Sequence, residues 1–246
     1  MKSTLSLIGL VYLLGMCASS AQTSLSAEQL EIGYSGADQV ASGVRRSGAI
    51  GTDNEVHEDQ SLAVGDSNII KAPEALAVGR GNKIGISTYT YDGNASIAVG
   101  LANWVYGAHS VAIGRSNYLE DGDEEWDGTE YSLAVGQSNT MRGTHSAIVG
   151  MYNVIDEDYD YGLPLGTVVL GRGLISRWSN CTVVGKYNNA SLAVNSGLLF
   201  AVGNGSSSAT DGRSNAFEVF YDGTVKMPIQ GDILMGEFGS ESDATP

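Results

Sequence analysis

Three stretches of this chain set aromatic rings among carboxylates: GISTYTYDGNA at 85–95, EDGDEEWDGTEY at 120–131 and DEDYDYGLPLG at 156–166. Tyr89, Tyr91, Trp126, Tyr131, Tyr159 and Tyr161 supply apolar faces with polar edges, suited to sugar rings and basic groups, and are the candidate ligand-binding residues. Asp121, Asp123, Glu125 and Asp127 offer hard oxygens to Ca2+, although DGDEEWDG lacks the spacing of an EF-hand loop and no G-G-x-G-x-D repeat is present. Ca2+ at those four acids is the one cofactor considered. Glu125 and Asp127 could imitate the acid pair of a glycosidase, but an acidic loop provides no buried site to separate their pKa values. Such loops also keep a repetitive β-protein soluble and discourage edge association. His57, His109 and His145 read as solvated turn residues, and Cys181 as a packed substitution where other units carry Ser or Thr. No catalytic residue is assigned.

The elements behind these loops follow from a repeat. SLAVGDSN at 61–68, SIAVGLAN at 96–103, SVAIGRSN at 110–117, SLAVGQSN at 132–139 and SAIVGMYN at 146–153 share one pattern. Its Gly recurs at Gly51, Gly65, Gly79, Gly100, Gly114, Gly136, Gly150, Gly171, Gly185 and Gly203, a basic unit of 14 residues that is periodically lengthened. Asn follows three residues later in most units, an apolar residue five later, and a Ser or Thr usually stands four before. Each unit therefore predicts two short strands around a Gly turn, with Asn at a second, left-handed corner. Fourteen residues cannot fold alone, so the units must stack into a β-roll or β-solenoid. All three long stretches fall in the same slot of the unit, hence on one edge of the roll. Turns rise by about 4.8 Å, so loops on alternate turns form a column spaced by about 10 Å.

Strand side chains alternate, and both faces of the first strand are apolar. The residues three and one before Gly are large, as in Leu62 and Val64 or Val111 and Ile113. The residue between them is Ala63, Ala77, Ala98, Ala112 or Ala134, then Ile148, Val169 or Val183. A strand apolar on both sides is covered on both sides, one face by the roll and the other by a second protein layer. The latter eight residues, the smaller set, are the candidate trimer interface.

The repeat resembles the YadA-like head domain of trimeric autotransporter adhesins, with SVAIG at 110–114 matching the family's core motif and the likeness running from about Ser47 to Gly203. The resemblance implies a left-handed parallel β-roll of about ten turns and a homotrimer with adhesive function. The chain departs from the family in having no sustained heptads and no terminal amphipathic strands of a membrane anchor, so self-insertion into a membrane is not expected.

Around the repeats, residues 1–21 read as a secretory signal: Lys2, an apolar run from Leu5 to Leu14, and Ser19-Ser20-Ala21 before the cut. Lipoprotein processing at Cys17 is the alternative. Residues 22–46 are a lead-in or cap, 47–203 the repeats, 204–238 a C-terminal cap with a hairpin in NAFEVFYDGTVKM, and 239–246 a tail expected to be disordered. The net charge of −15 argues against nucleic acid or an anionic membrane as partner. The sequence therefore predicts an exported, extracellular or surface protein, with the periplasm as alternative. It would be a non-catalytic trimer presenting its loop column to a glycan, matrix or cell-surface protein. A purely structural fibre or envelope component and a polysaccharide-acting enzyme are the alternatives.

Overall fold

The computed structural model describes residues 21–25, 29–34, 38–85, 93–120, 129–156, 164–190 and 197–227. Residues 1–20, where a secretory signal is expected, and the expected tail 239–246 lie outside these. The protein is all-β, a roll made of two sheets whose strands alternate along the chain. In the long-strand sheet, Ile97–Leu101 is flanked in parallel by Leu76–Arg80 and Val111–Arg115, and equivalent letters pair, Ala98 with Ala77 and Ala112, and Gly100 with Gly79 and Gly114. This register persists to Leu198–Asn204, with Gly185 opposite Gly203. The short-strand sheet stacks two-residue strands such as Lys83–Ile84, Trp104–Val105 and Tyr118–Leu119 in parallel. The parallel stack starts within the lead-in, because Gln29–Tyr34 pairs with Ser47–Thr52 and places Gly33 opposite Gly51. The antiparallel strand Ala21–Leu25 closes that end.

The repeated Gly is set by backbone approach. Gly114 has φ +122, and a Cβ on it would sit 2.0 Å from the carbonyl oxygen of Gly136 on the next rung. No L-residue other than Gly satisfies both constraints. The Asn three residues later is not the left-handed corner. That conformation falls one residue earlier, at Ser67, Ala102, Ser116 and Ser138, while Asn points into the roll and is fully buried. Asn82 shows why: its Nδ2 donates to Asn68 Oδ1 at 3.0 Å and to Gly100 O at 3.0 Å, and its Oδ1 accepts from the backbone N of Asn103 at 3.0 Å. The column links Asn54, Asn68, Asn82, Asn103, Asn117, Asn139 and Asn153. Asp38 Oδ1 receives the first amide at 3.0 Å, and Leu174 ends the series by donating its backbone N–H to Asn153 Oδ1. A second inward column is built from Ser hydroxyls: Ser96 Oγ donates to Gly107 O and accepts from Ser110 N, each at 3.0 Å. Buried backbone groups at both corners thus find partners in every such rung.

Between the sheets lies one layer of apolar side chains. The short strands contribute Val56, Ile70, Ile84, Val105, Leu119, Met141 and Ile155, and the long strands contribute Ala63, Ala77, Ala98, Ala112, Ala134, Ile148, Val169 and Val183. The eight residues expected at a trimer interface are therefore the core of a single chain, each with no exposed surface. Over most rungs Ala on the long strand lies with a larger residue on the short one, and at Ile148, between Met141 and Ile155, both strands contribute large side chains. Where the short strand carries Ser176, the long strands carry Val169 and Val183 and Trp178 joins the core, which keeps the volume filled. The larger row, including Ile97, Ile113, Leu133, Val149 and Leu170, faces outward instead.

At the far end the predicted hairpin is present: Asn215–Phe220 pairs antiparallel with Leu198–Asn204 and with Val225–Lys226 around Asp222-Gly223. The last short strand, Ile175–Ser176, has no following strand to pair with among the described residues. Asn188 substitutes for one, accepting from Ile175 N and donating to Ile175 O, both at 2.8 Å. Arg213 Nη1 donates to Gly173 O at 2.8 Å beside it. Side chains that mimic a peptide group leave less free edge for another chain to extend.

Candidate binding surface

The three long loops leave the roll at equivalent corners, after Lys83–Ile84, Tyr118–Leu119 and Val154–Ile155, and so share one edge on alternate rungs. Tyr89, Tyr91, Trp126, Tyr159 and Tyr161 lie outside the described residues, as do Asp121, Asp123, Glu125 and Asp127. Among the described residues, no three His, Cys, Asp or Glu side chains gather to hold a metal. Tyr131 is described, and it stands where its loop returns to the roll. Its ring, 53% exposed, is stacked between His109 at 4.7 Å and His145 at 5.0 Å. All three residues take the left-handed backbone of the same corner, which lines them up on successive rungs. His57 lies apart from them, 3.3 Å from Glu55 Oε2.

Cys181 is buried, with its sulfur 3.2 Å from Ser176 Oγ and 3.4 Å from Trp178 O. Burial pushes its thiol pKa up, which makes it a poor nucleophile.

Two outward surfaces remain. On the long-strand sheet, the residue one before each Gly forms a continuous aliphatic row and the residue three before it a second row interrupted at Gly48, Ala147, Thr182 and Phe200, with Ile97, Ile113, Leu133, Val149 and Leu170 each 36–41% exposed. On the short-strand sheet, the residue after each Asn points outward because its neighbour points in. Along the stack, this row is Glu55, Ile69, Lys83, Trp104, Tyr118, Thr140 and Val154, and it continues to Ile175 after Leu174, all half-buried.

Three of the rings on this second surface form a cluster. Trp104 and Tyr118 lie 5.6 Å apart on adjacent strands, and Tyr106, two residues beyond Trp104, packs edge-on against Tyr118 at 5.6 Å and against Trp104 at 6.5 Å. Lys83 Nζ sits 4.6 Å from the Trp104 ring centre. Beyond Tyr118, Glu120 pairs with Arg142, which also donates from Nη1 to Asp156 Oδ1 at 3.0 Å, and Arg177 reaches Asp156 Oδ2 at 3.5 Å. Burial, and then the Glu120 carboxylate, push the Tyr118 phenol up to about 12, so it is a neutral hydrogen-bonding group at physiological pH. Tyr106 is raised for the same leading reason. Arg142 is held even more firmly cationic by its hydrogen bond to Glu120. The repeat pattern registers only the inward residue five after Gly, but strand alternation applied to that residue places Trp104 and Tyr118 outside.

No protein-family model matches the chain, and no curated protein matches it.

Proposed function

We propose that the protein is an exported, non-catalytic binding protein that works as a homotrimer, its long-strand sheets turned towards one another and its loop edge and short-strand sheet towards a partner. The observation that carries this reading is the aliphatic row on the outer face of the long-strand sheet, repeated rung after rung. A monomer would leave that row in water along the whole stack, whereas soluble monomers seldom expose contiguous apolar surface on this scale. Equivalent residues at equivalent heights suit a closed symmetric assembly, because each copy then meets the same surface on its neighbours. The number three comes from the likeness of the repeat to trimeric adhesin heads. Ile97, Ile113, Leu133, Val149 and Leu170 replace Ala112 and its equivalents as the interface residues.

Adhesin-like recognition of a glycan or a matrix or cell-surface protein is the activity this arrangement fits best, since varied chemistry is kept on the surfaces away from the aliphatic rows. Light scattering on the purified protein tests the assembly: a mass three times that of the chain is expected at all concentrations, and a stable monomer overturns it.

A further inference from the structure

A surface built by repetition shows its special positions where the repetition stops. The outward row of the short-strand sheet has Glu55 and Ile69 on one side of Lys83, and Thr140 and Val154 on the far side of Tyr118. Aromatic residues enter that row only at Trp104 and Tyr118, on adjacent strands, and Tyr106 adds a third ring beside them. The roll does not need these rings for its core, which Val105 and Leu119 fill from the opposite side of the same strands.

We propose that Trp104, Tyr106 and Tyr118, flanked by Lys83 and by the Glu120–Arg142 pair, form a binding platform for the pyranose rings of a neutral oligosaccharide. The cluster is amphipathic in the way a sugar is. Aromatic rings suit the apolar C–H faces of a pyranose, and the phenols of Tyr106 and Tyr118 beside them can bond its hydroxyls, with Lys83 and Glu120 at the border of the cluster. Edge-to-face packing on a β-scaffold holds the rings before any ligand arrives, so little side-chain freedom is lost on binding. Charge selects for neutrality: Lys83 is engaged with Trp104 and Glu120 is compensated by Arg142, leaving no unpaired array for a polyanion on a chain of net charge −15.

The inference rests on the reading of the protein as a binder, but not on its loops or its trimer. The test is titration of the whole protein with four neutral hexasaccharides, from cellulose, chitin, mannan and galactan, followed by calorimetry and tryptophan fluorescence. Saturable binding of at least one is expected, weakened tenfold or more by Trp104→Ala and at least threefold by Tyr118→Ala, with Trp104→Phe retaining most of it. Mass and circular dichroism of each variant should match the parent, which separates a lost contact from a lost fold. Absence of binding to all four sugars overturns the platform, as does binding that Trp104→Ala leaves unchanged. Sugar binding that survives Trp104→Ala but disappears when residues 121–128 are shortened would overturn this site and leave the proposed function standing.

Discussion

The two sheets of the roll are alike inside and unlike outside. Within, each presents one apolar residue per rung to a shared single layer. Outside, the long-strand sheet repeats Val, Ile and Leu, whereas the short-strand sheet passes from acid to aliphatic to lysine to aromatic to hydroxyl within a few rungs. The core keeps Ala against one larger residue over most rungs and is refilled by Ile148, Val169, Val183 and Trp178 over the last ones, so that each rung stays packed. An outer face is free of that demand, so what it repeats or varies is set by what it meets.

The shared interior is where disruption should be greatest. Gly114→Val puts a side chain within 2.0 Å of a backbone oxygen at φ +122, and a cost of about 4 kcal/mol or more is expected. Thermal unfolding and soluble yield should both collapse. Asn103→Ala removes the donor to Asn82 Oδ1 and Gly114 O and the acceptor of Asn117 N, leaving several buried groups unpaired. A loss of about 3 kcal/mol is expected by denaturant titration. Neither change distinguishes the sheets, which is the point of making them.

The outer faces should respond differently. Ile113→Asp combined with Leu133→Asp should reduce the mass by light scattering to that of one chain while the β-sheet circular dichroism persists. Tyr118→Asp on the other sheet should leave the mass unchanged, and equal dissociation by both would erase the contrast. The smallest effect concerns alkaline pH. Tyr118 holds its proton up to about 12 in the folded chain, against about 10 when unfolded, so the folded state binds more protons between those values. Stability should therefore fall as pH rises across that window, and Tyr118→Phe should flatten the fall in unfolding curves.

Much of this architecture is legible in the letters, because a period of 14 with Gly in register admits few structures besides a stack. The direction of the strand faces is not. Ala112 and Ile113 are both apolar, so their types do not say which of them faces the core. The fold decides it: Ala112 joins Val105 and Leu119 in the core with no exposed surface, and Ile113 is 41% exposed. Asn103 was read as a left-handed corner since Asn favours that conformation. Ala102 adopts it instead, because the amide is needed inside by the neighbouring rungs. Trp104 and Tyr118 are illegible in the repeat for a related reason: a recurring pattern is silent at positions whose significance is that they do not recur.

The asparagine column has an electrical direction as well as a hydrogen-bonding one. In every amide from Asn68 to Asn153 the oxygen points to the following rung and one N–H to the preceding amide oxygen, while the second N–H reaches a Gly carbonyl of the following rung. The side-chain dipoles therefore add, as peptide dipoles do along a helix, and leave partial positive charge at the first rung. The carboxylate of Asp38 sits at that pole, 3.0 Å from the Asn54 amide nitrogen. The roll thus has a head marked by charge and a tail at Leu174, and its rungs are polar units added in one sense rather than interchangeable layers.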